Sequence, residues 1–222
     1  MKPELIVMLT QNDLTVEDAE ELFESCCDSD VKCWGFKEHP LPLEQMRRLC
    51  QRMKDCGKTT FLEVVAYSEE EGLKGAQTAI ECGFDVLMGT CFHDSINDYC
   101  LRHHLRYMPF AGEVKDRPSV LEGSIENIVA EARQYVEKGA YGIDLLGYRY
   151  TGDAQALCRA VVEGVDAPVC LAGSVNSLLR IDEVMDVNPW AFTIGSAFFE
   201  NKFGEGLRQQ ADYVYEYISK NK

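Results

Sequence analysis

Three short apolar runs in this chain carry charge at or near the strand end, where a buried strand would otherwise be uniformly greasy. VKCWGFK ends on Lys37, TTFLEVVAY contains Glu63, and YGIDLLG contains Asp144. A two-residue period puts Cys33, Gly35 and Lys37 on one face, with Trp34 and Phe36 on the other. The same parity groups Glu63 with Phe61 and Val65, and Asp144 with Gly142 and Leu146. A carboxylate left unpaired among such neighbours costs several kcal/mol, so Glu63 is expected to pair with Lys37 on the next strand. A lysine–carboxylate pair in an apolar setting supports two chemistries. The amine, desolvated, becomes a base or a Schiff-base nucleophile. Alternatively Glu63 or Asp144 removes a proton next to a carbonyl while the partner serves as acid. Plainer roles stay open: Lys37 as a structural cation for Glu63, and Asp144 as a hydrogen-bond partner for a loop. His93, just after DVLMGT, is a further acid–base candidate or simply satisfies its own loop.

A second pattern lies near the C-terminus. PVCLAGSVNS and WAFTIGSAFF are apolar runs that stop at Gly173-Ser174 and at Gly195-Ser196. Between them LLRIDEVMDV has Ile181, Val184 and Met185 at helical spacing. Strand, glycine turn, helix, strand, glycine turn exposes backbone N–H groups at adjacent strand ends, with a short helix expected from Ser196. That is a place for a phosphate group, unless the glycines serve turn geometry alone. Two loops carry cations or aromatics suited to an anionic substrate: GEVKDRPSVLEGS, with Glu113, Lys115 and Arg117, and GYRYTGD, with Tyr148 and Arg149. Solvated loop charge is the alternative.

The elements that must position these residues alternate strictly. ELIVMLT reads as strand one through Thr10, and Thr15 is expected to cap the first helix, with Ala19, Leu22, Phe23 and Cys26 on one face. Helix two runs from about Leu43 to a stop at Gly57, and Ser68 with Glu71 forms a capping box for helix three. DVLMGT and RYMPFAG supply strands four and five. Ser124 opens helix five, with Ile125, Ile128, Val129 and Ala132 as its stripe. Leu207, Ala211, Val214 and Ile218 mark a closing helix. Eight strand–helix units with near-continuous apolar strands predict a parallel sheet buried on both faces. The expected fold is a single (β/α)8 barrel over residues 1–222, with an open doubly wound sheet as runner-up.

Composition narrows the partners. With 222 residues, 46% of them apolar, the chain has material for one such core, and its formal net charge of −15 argues against nucleic acid. Ten cysteines without a Cys-x-x-Cys pair fit a reduced cytoplasmic protein, with Cys50, Cys82, Cys158 and Cys170 facing the core. Cys26, Cys27, Cys33 and His39 match no structural zinc spacing, and SEEE at Ser68–Glu71 reads as a helix start. No bound metal or cofactor is called for. No run is apolar enough to span a membrane, and MKPELIVMLT lacks a signal-peptide layout.

GIDLLGYRYTGD, PVCLAGSVNS and FTIGSAFF together resemble the ribulose-phosphate-binding barrel superfamily over roughly the last third of the chain. The run from Leu146 to Thr151 is similar to the loop after strand six in N-acylmannosamine-phosphate epimerases. The resemblance implies that Gly173, Ser174, Gly195 and Ser196 bind a substrate phosphate. Asp144 occupies the region where ketogluconate-type aldolases of this group carry a Schiff-base lysine. The reading is an isomerase or epimerase acting on a small phosphorylated sugar or sugar acid. A class I aldolase using Lys37, an FMN-binding oxidoreductase and a non-catalytic metabolite sensor are the alternatives, and a homo-oligomer stays open.

Overall fold

The computed structural model of the chain describes residues 2–220. Eight parallel strands close on themselves: β1 Glu4–Met8, β2 Cys33–Lys37, β3 Thr59–Val64, β4 Val86–Cys91, β5 Arg106–Phe110, β6 Ile143–Leu145, β7 Val169–Leu171 and β8 Ala191–Ile194. Each neighbours the next in chain order, and β1 pairs with both β2 and β8, so no edge is left open. The main helices around them are α1 Ala19–Glu24, α2 Leu43–Asp55, α3 Glu69–Cys82, α4 Asp94–Arg102, α5 Ile125–Glu137, α6 Ala154–Gly164, α7 Leu178–Val187, the single turn α8 Ser196–Phe199, and α9 Leu207–Lys220. This is the (β/α)8 barrel that the strict alternation predicts.

Strand parity divides the core in two. Trp34, Phe36 and Leu62 face outward and pack under the helices with Phe23, Leu49 and Met53. Ile6, Met8, Cys33, Phe61, Met88, Met108 and Cys170 fill the barrel interior, with Tyr141 and Trp190 packed against them. Local signals hold at several helix starts. The Ser68 hydroxyl accepts from the Glu71 N–H at 3.3 Å, and the Ser124 hydroxyl accepts from the Asn127 N–H at 3.2 Å.

The first βα connection departs from the sequence reading. β1 stops at Met8, and Thr10–Gln11 pairs with Leu14–Thr15 as a small antiparallel hairpin. Its two turn residues, Asn12 and Asp13, have φ of 51° and 63°, the left-handed pair that a two-residue hairpin turn demands. Thr15 therefore caps no helix; α1 begins at Ala19. Its hydroxyl instead accepts from the Lys37 N–H at 2.8 Å and donates to the Lys37 carbonyl at 2.7 Å. The predicted loop 112–124 likewise folds into a hairpin, Glu113–Lys115 against Val120–Glu122.

Gly35 shows how tight the interior is. A Cβ there would lie 2.7 Å from the Phe61 carbonyl oxygen and 2.8 Å from Met8 Sδ. Gly35→Ala is expected to lower the unfolding free energy by about 1–3 kcal/mol through overpacking, read from urea denaturation. Unchanged stability would mean that β1, β2 and β3 are less closely packed than described.

Candidate active site

The C-terminal mouth of the barrel holds a cavity of about 200 Å³. Its walls include Lys37 and Glu63 from β2 and β3, Asp13 from the first hairpin, and Arg149 from the short 3-10 turn after β6. Ala172–Asn176 after β7 and Thr193–Ala197 at the end of β8 complete it, with Met8, Thr10, Ser119, Leu146 and Glu200.

Lys37 and Glu63 are register partners on adjacent strands. The Lys37 ammonium stands 3.4 Å from Glu63 Oε1 and 3.0 Å from Asp13 Oδ1. Burial by itself would lower the lysine pKa, but the two carboxylates outweigh it and the value rises above that of an ordinary lysine. For Asp13, burial pulls upward, yet Lys37, helped by Arg149 and Arg117, holds the carboxyl below the usual aspartate range. Lys37 is therefore a charged, desolvated ammonium between two counter-charges.

Asp144 lies inside β6, in register with Phe110 and Cys170, and is fully buried. It does not line the cavity: it is level with Cys170, two residues before Leu146, which does line it. It therefore sits below the cavity floor and away from the direct proton removal that the sequence reading offered it. Neither carboxyl oxygen has a hydrogen-bond partner. Burial and the neighbouring Glu63 push its pKa well up, against a smaller opposing pull from Lys37. The Gly89 backbone favours the anion weakly, outside hydrogen-bond geometry.

At the other side of the cavity Gly173 and Ser174 both have positive φ, 82° and 56°. A Cβ on Gly173 would meet Arg149 Cγ at 2.8 Å, so the arginine stem lies directly across this turn. The guanidinium reaches to 3.8 Å from Asp13 Oδ1 and 3.5 Å from the Ser119 carbonyl. Both contacts are long, leaving the cation with capacity for an anion. Gly195 lets the second turn approach the first hairpin: a Cβ would lie 2.4 Å from Thr10 Oγ1. Ser196 begins α8, and its hydroxyl accepts from the Asn12 N–H at 3.2 Å.

Other sequence candidates lie elsewhere. His93 is the half-exposed residue before α4, makes no side-chain cap and does not line the cavity. Glu113 is exposed on its hairpin, and Lys115 pairs with Glu122 of the same hairpin at 2.7 Å. Folding into a hairpin thus consumes the cation that was expected to face substrate. Arg117 donates to the Val65 carbonyl at 2.7 Å, tying that hairpin to the end of β3. Tyr148 turns toward the helices, with the Arg180 guanidinium 4.1 Å from its ring centre. Asp13 and Ser119 are the residues that sequence reasoning missed. The Asn-Asp pair between Thr10-Gln11 and Leu14-Thr15 was the available turn signal. Among the described residues no group of three or more His, Cys, Asp or Glu is arranged to hold a metal ion.

No protein-family model matches the chain, and no curated protein matches it in sequence. Solved structures do match in three dimensions. Thiamine phosphate pyrophosphorylase from Pyrococcus furiosus superposes with a TM-score of 0.66 at 17% identity, over 97% of this chain and 95% of its own. N-acetylmannosamine-6-phosphate 2-epimerase from Clostridium perfringens gives 0.64 at 11%, over 98% and 93%. A 4-hydroxy-2-oxoglutarate/2-dehydro-3-deoxyphosphogluconate aldolase gives 0.65 at 14%, over 98% and 95%. The chain shares the barrel fold of these three proteins over nearly its whole length. No helix among the described residues is long and apolar enough to cross a membrane.

The buried carboxyl yields a test. Because the folded-state pKa of Asp144 is raised, the folded state holds the proton above the ordinary aspartate pKa near 3.8, where the unfolded chain releases it. Stability from this group is therefore lost as pH rises from about 4 through the raised value. Asp144→Asn is expected to gain stability relative to the parent chain as pH goes from 4 to 8, followed by thermal melting. A stability difference independent of pH would mean that Asp144 is not buried as described.

Proposed function

We propose that the chain is an enzyme of phosphorylated-sugar metabolism that moves a proton next to a carbonyl, an isomerase or epimerase. One observation carries this reading: a single small cavity is bounded by the Lys37–Glu63 pair on one side and by both glycine–serine turns on the other. Its volume of about 200 Å³ lies below the roughly 300–1,000 Å³ of pockets for larger ligands, which favours a compact metabolite over a flavin. The phosphate would sit against the Gly173-Ser174 and Gly195-Ser196 backbone, with Arg149 swinging from its long contacts to neutralise it. Such local charge is needed in a protein of net charge −15.

At the other end Glu63 would accept the proton from the carbon beside the carbonyl. The electron pair of the broken C–H bond moves into an enolate whose oxygen faces the Lys37 ammonium, and return of the proton to a different carbon or face gives product. An electrostatically held ammonium suits this role better than Schiff-base formation, which needs the free amine. The ten cysteines, all free, favour a reducing compartment such as the cytosol.

A panel of aldose and ketose phosphates in D2O, followed by NMR, should show exchange of the hydrogen beside the carbonyl in at least one member. Lys37→Met and Glu63→Gln should each slow that exchange by about a hundredfold or more, with affinity for inorganic phosphate little changed. Binding without exchange would make the barrel a sensor. A borohydride-trapped adduct on Lys37 with pyruvate or a ketose phosphate would make it an aldolase.

The phosphate end is tested separately by Ser174→Asp. Aspartate tolerates the positive φ of this position, so the variant adds a negative charge to the turn with little backbone strain. It should abolish inorganic phosphate binding; unchanged affinity would rule the site out.

A further inference from the structure

We propose that Asp13 fixes the charge class of the substrate, accepting a hydroxyl hydrogen bond from a neutral polyol end and rejecting a substrate that carries a second anion there. This deepens the phosphosugar reading above and rests on it. Asp13 stands at the tip of the first hairpin, on the cavity wall, 3.0 Å from the Lys37 ammonium. Lys37 is already shared with Glu63 at 3.4 Å. Two carboxylates thus surround one ammonium at the reacting end. A substrate carboxylate arriving there would compete with both for the same cation and would itself face two like charges. A sugar hydroxyl meets the opposite situation, because an ionised carboxylate accepts hydrogen bonds and donates none.

Asp13 cannot move aside, because its hairpin is held on both flanks. The Thr15 hydroxyl bonds both the N–H and the carbonyl of Lys37, at 2.8 and 2.7 Å. The Thr15 N–H donates to the His39 carbonyl at 2.8 Å. On the far side the Asn12 N–H donates to Ser196 Oγ at 3.2 Å. Thr10 fills the space that a Cβ on Gly195 would need. The hairpin is keyed into the ends of β2 and β8 together, so displacing Asp13 means breaking into both strand ends. Rejection by a fixed group of the wrong charge is a specificity device independent of the affinity for the right ligand.

Ribitol 5-phosphate and 5-phosphoribonate make a matched pair, differing only in CH2OH against a carboxylate at C1. Calorimetry on the full chain should find the ribitol compound tighter by about tenfold or more. Asp13→Asn keeps the turn, since asparagine favours positive φ, and removes the charge. It should bring the two affinities to within about threefold, chiefly by tightening 5-phosphoribonate; Arg149, released from Asp13, raises phosphate affinity for both probes alike, so their ratio reports the C1 group. Asp13→Gly, equally suited to the turn, should do the same if the asparagine variant does not fold. A wild-type preference that survives in the variants, or a wild type that prefers 5-phosphoribonate, overturns the proposal while leaving the phosphosugar reading standing. Failure of inorganic phosphate and both probes to bind overturns the two together.

Discussion

An ammonium group buried to within a few per cent of complete exclusion from solvent must be given counter-charge, or it will shed its proton. Lys37, 6% exposed, keeps its charge because two carboxylates reach it from different parts of the chain. Glu63 comes from the neighbouring strand in strict register. Asp13 comes from a hairpin inserted between β1 and α1. The geometry of the mouth follows from that requirement. The hairpin has to be anchored beside Lys37, which the Thr15 hydroxyl accomplishes at the lysine's own backbone. Its other flank then meets the end of β8, where only glycine at 195 leaves room for Thr10.

The consequence is a cavity with two electrostatic zones. One end has a single ammonium outnumbered by carboxylates. The other has glycine-rich backbone turns and an arginine whose present contacts, at 3.5 and 3.8 Å, are long. In a chain of net charge −15 these cations matter through proximity and partial desolvation, since the overall field opposes an anionic ligand. Asp144 adds a buried carboxyl near Glu63, its pKa pushed well up by burial and by that neighbour, with no hydrogen-bond partner for either oxygen.

Much of this was legible in the residues. Period-two alternation separated Trp34 and Phe36 from Cys33, Gly35 and Lys37, and the same logic paired Lys37 with Glu63 across the strands. Apolar runs ending at Gly173 and Gly195 located two adjacent turns of the mouth. Parity, however, gives direction and not depth. It turned Asp144 inward correctly but could not say that its ladder position, level with Cys170, lies below the cavity. The Asp13 hairpin was hidden because Thr10 and Thr15 also fit a strand end and a helix cap. Only the left-handed pair Asn12-Asp13 distinguishes the two foldings. His93 and Lys115 failed to reach the cavity for a related reason: where a loop residue points is decided by packing and hairpin pairing, which spacing does not encode.

The protonation state of Lys37 separates an ion-paired ammonium from a nucleophilic amine. A pH titration of its side-chain nitrogen by NMR, with Lys37→Met to assign the signal, measures it directly. Two carboxylates within 3.4 Å predict a group that stays charged to higher pH than an ordinary lysine. A Lys37 that loses its proton near neutral pH would contradict the ion-pair arrangement and return the amine to the role of nucleophile.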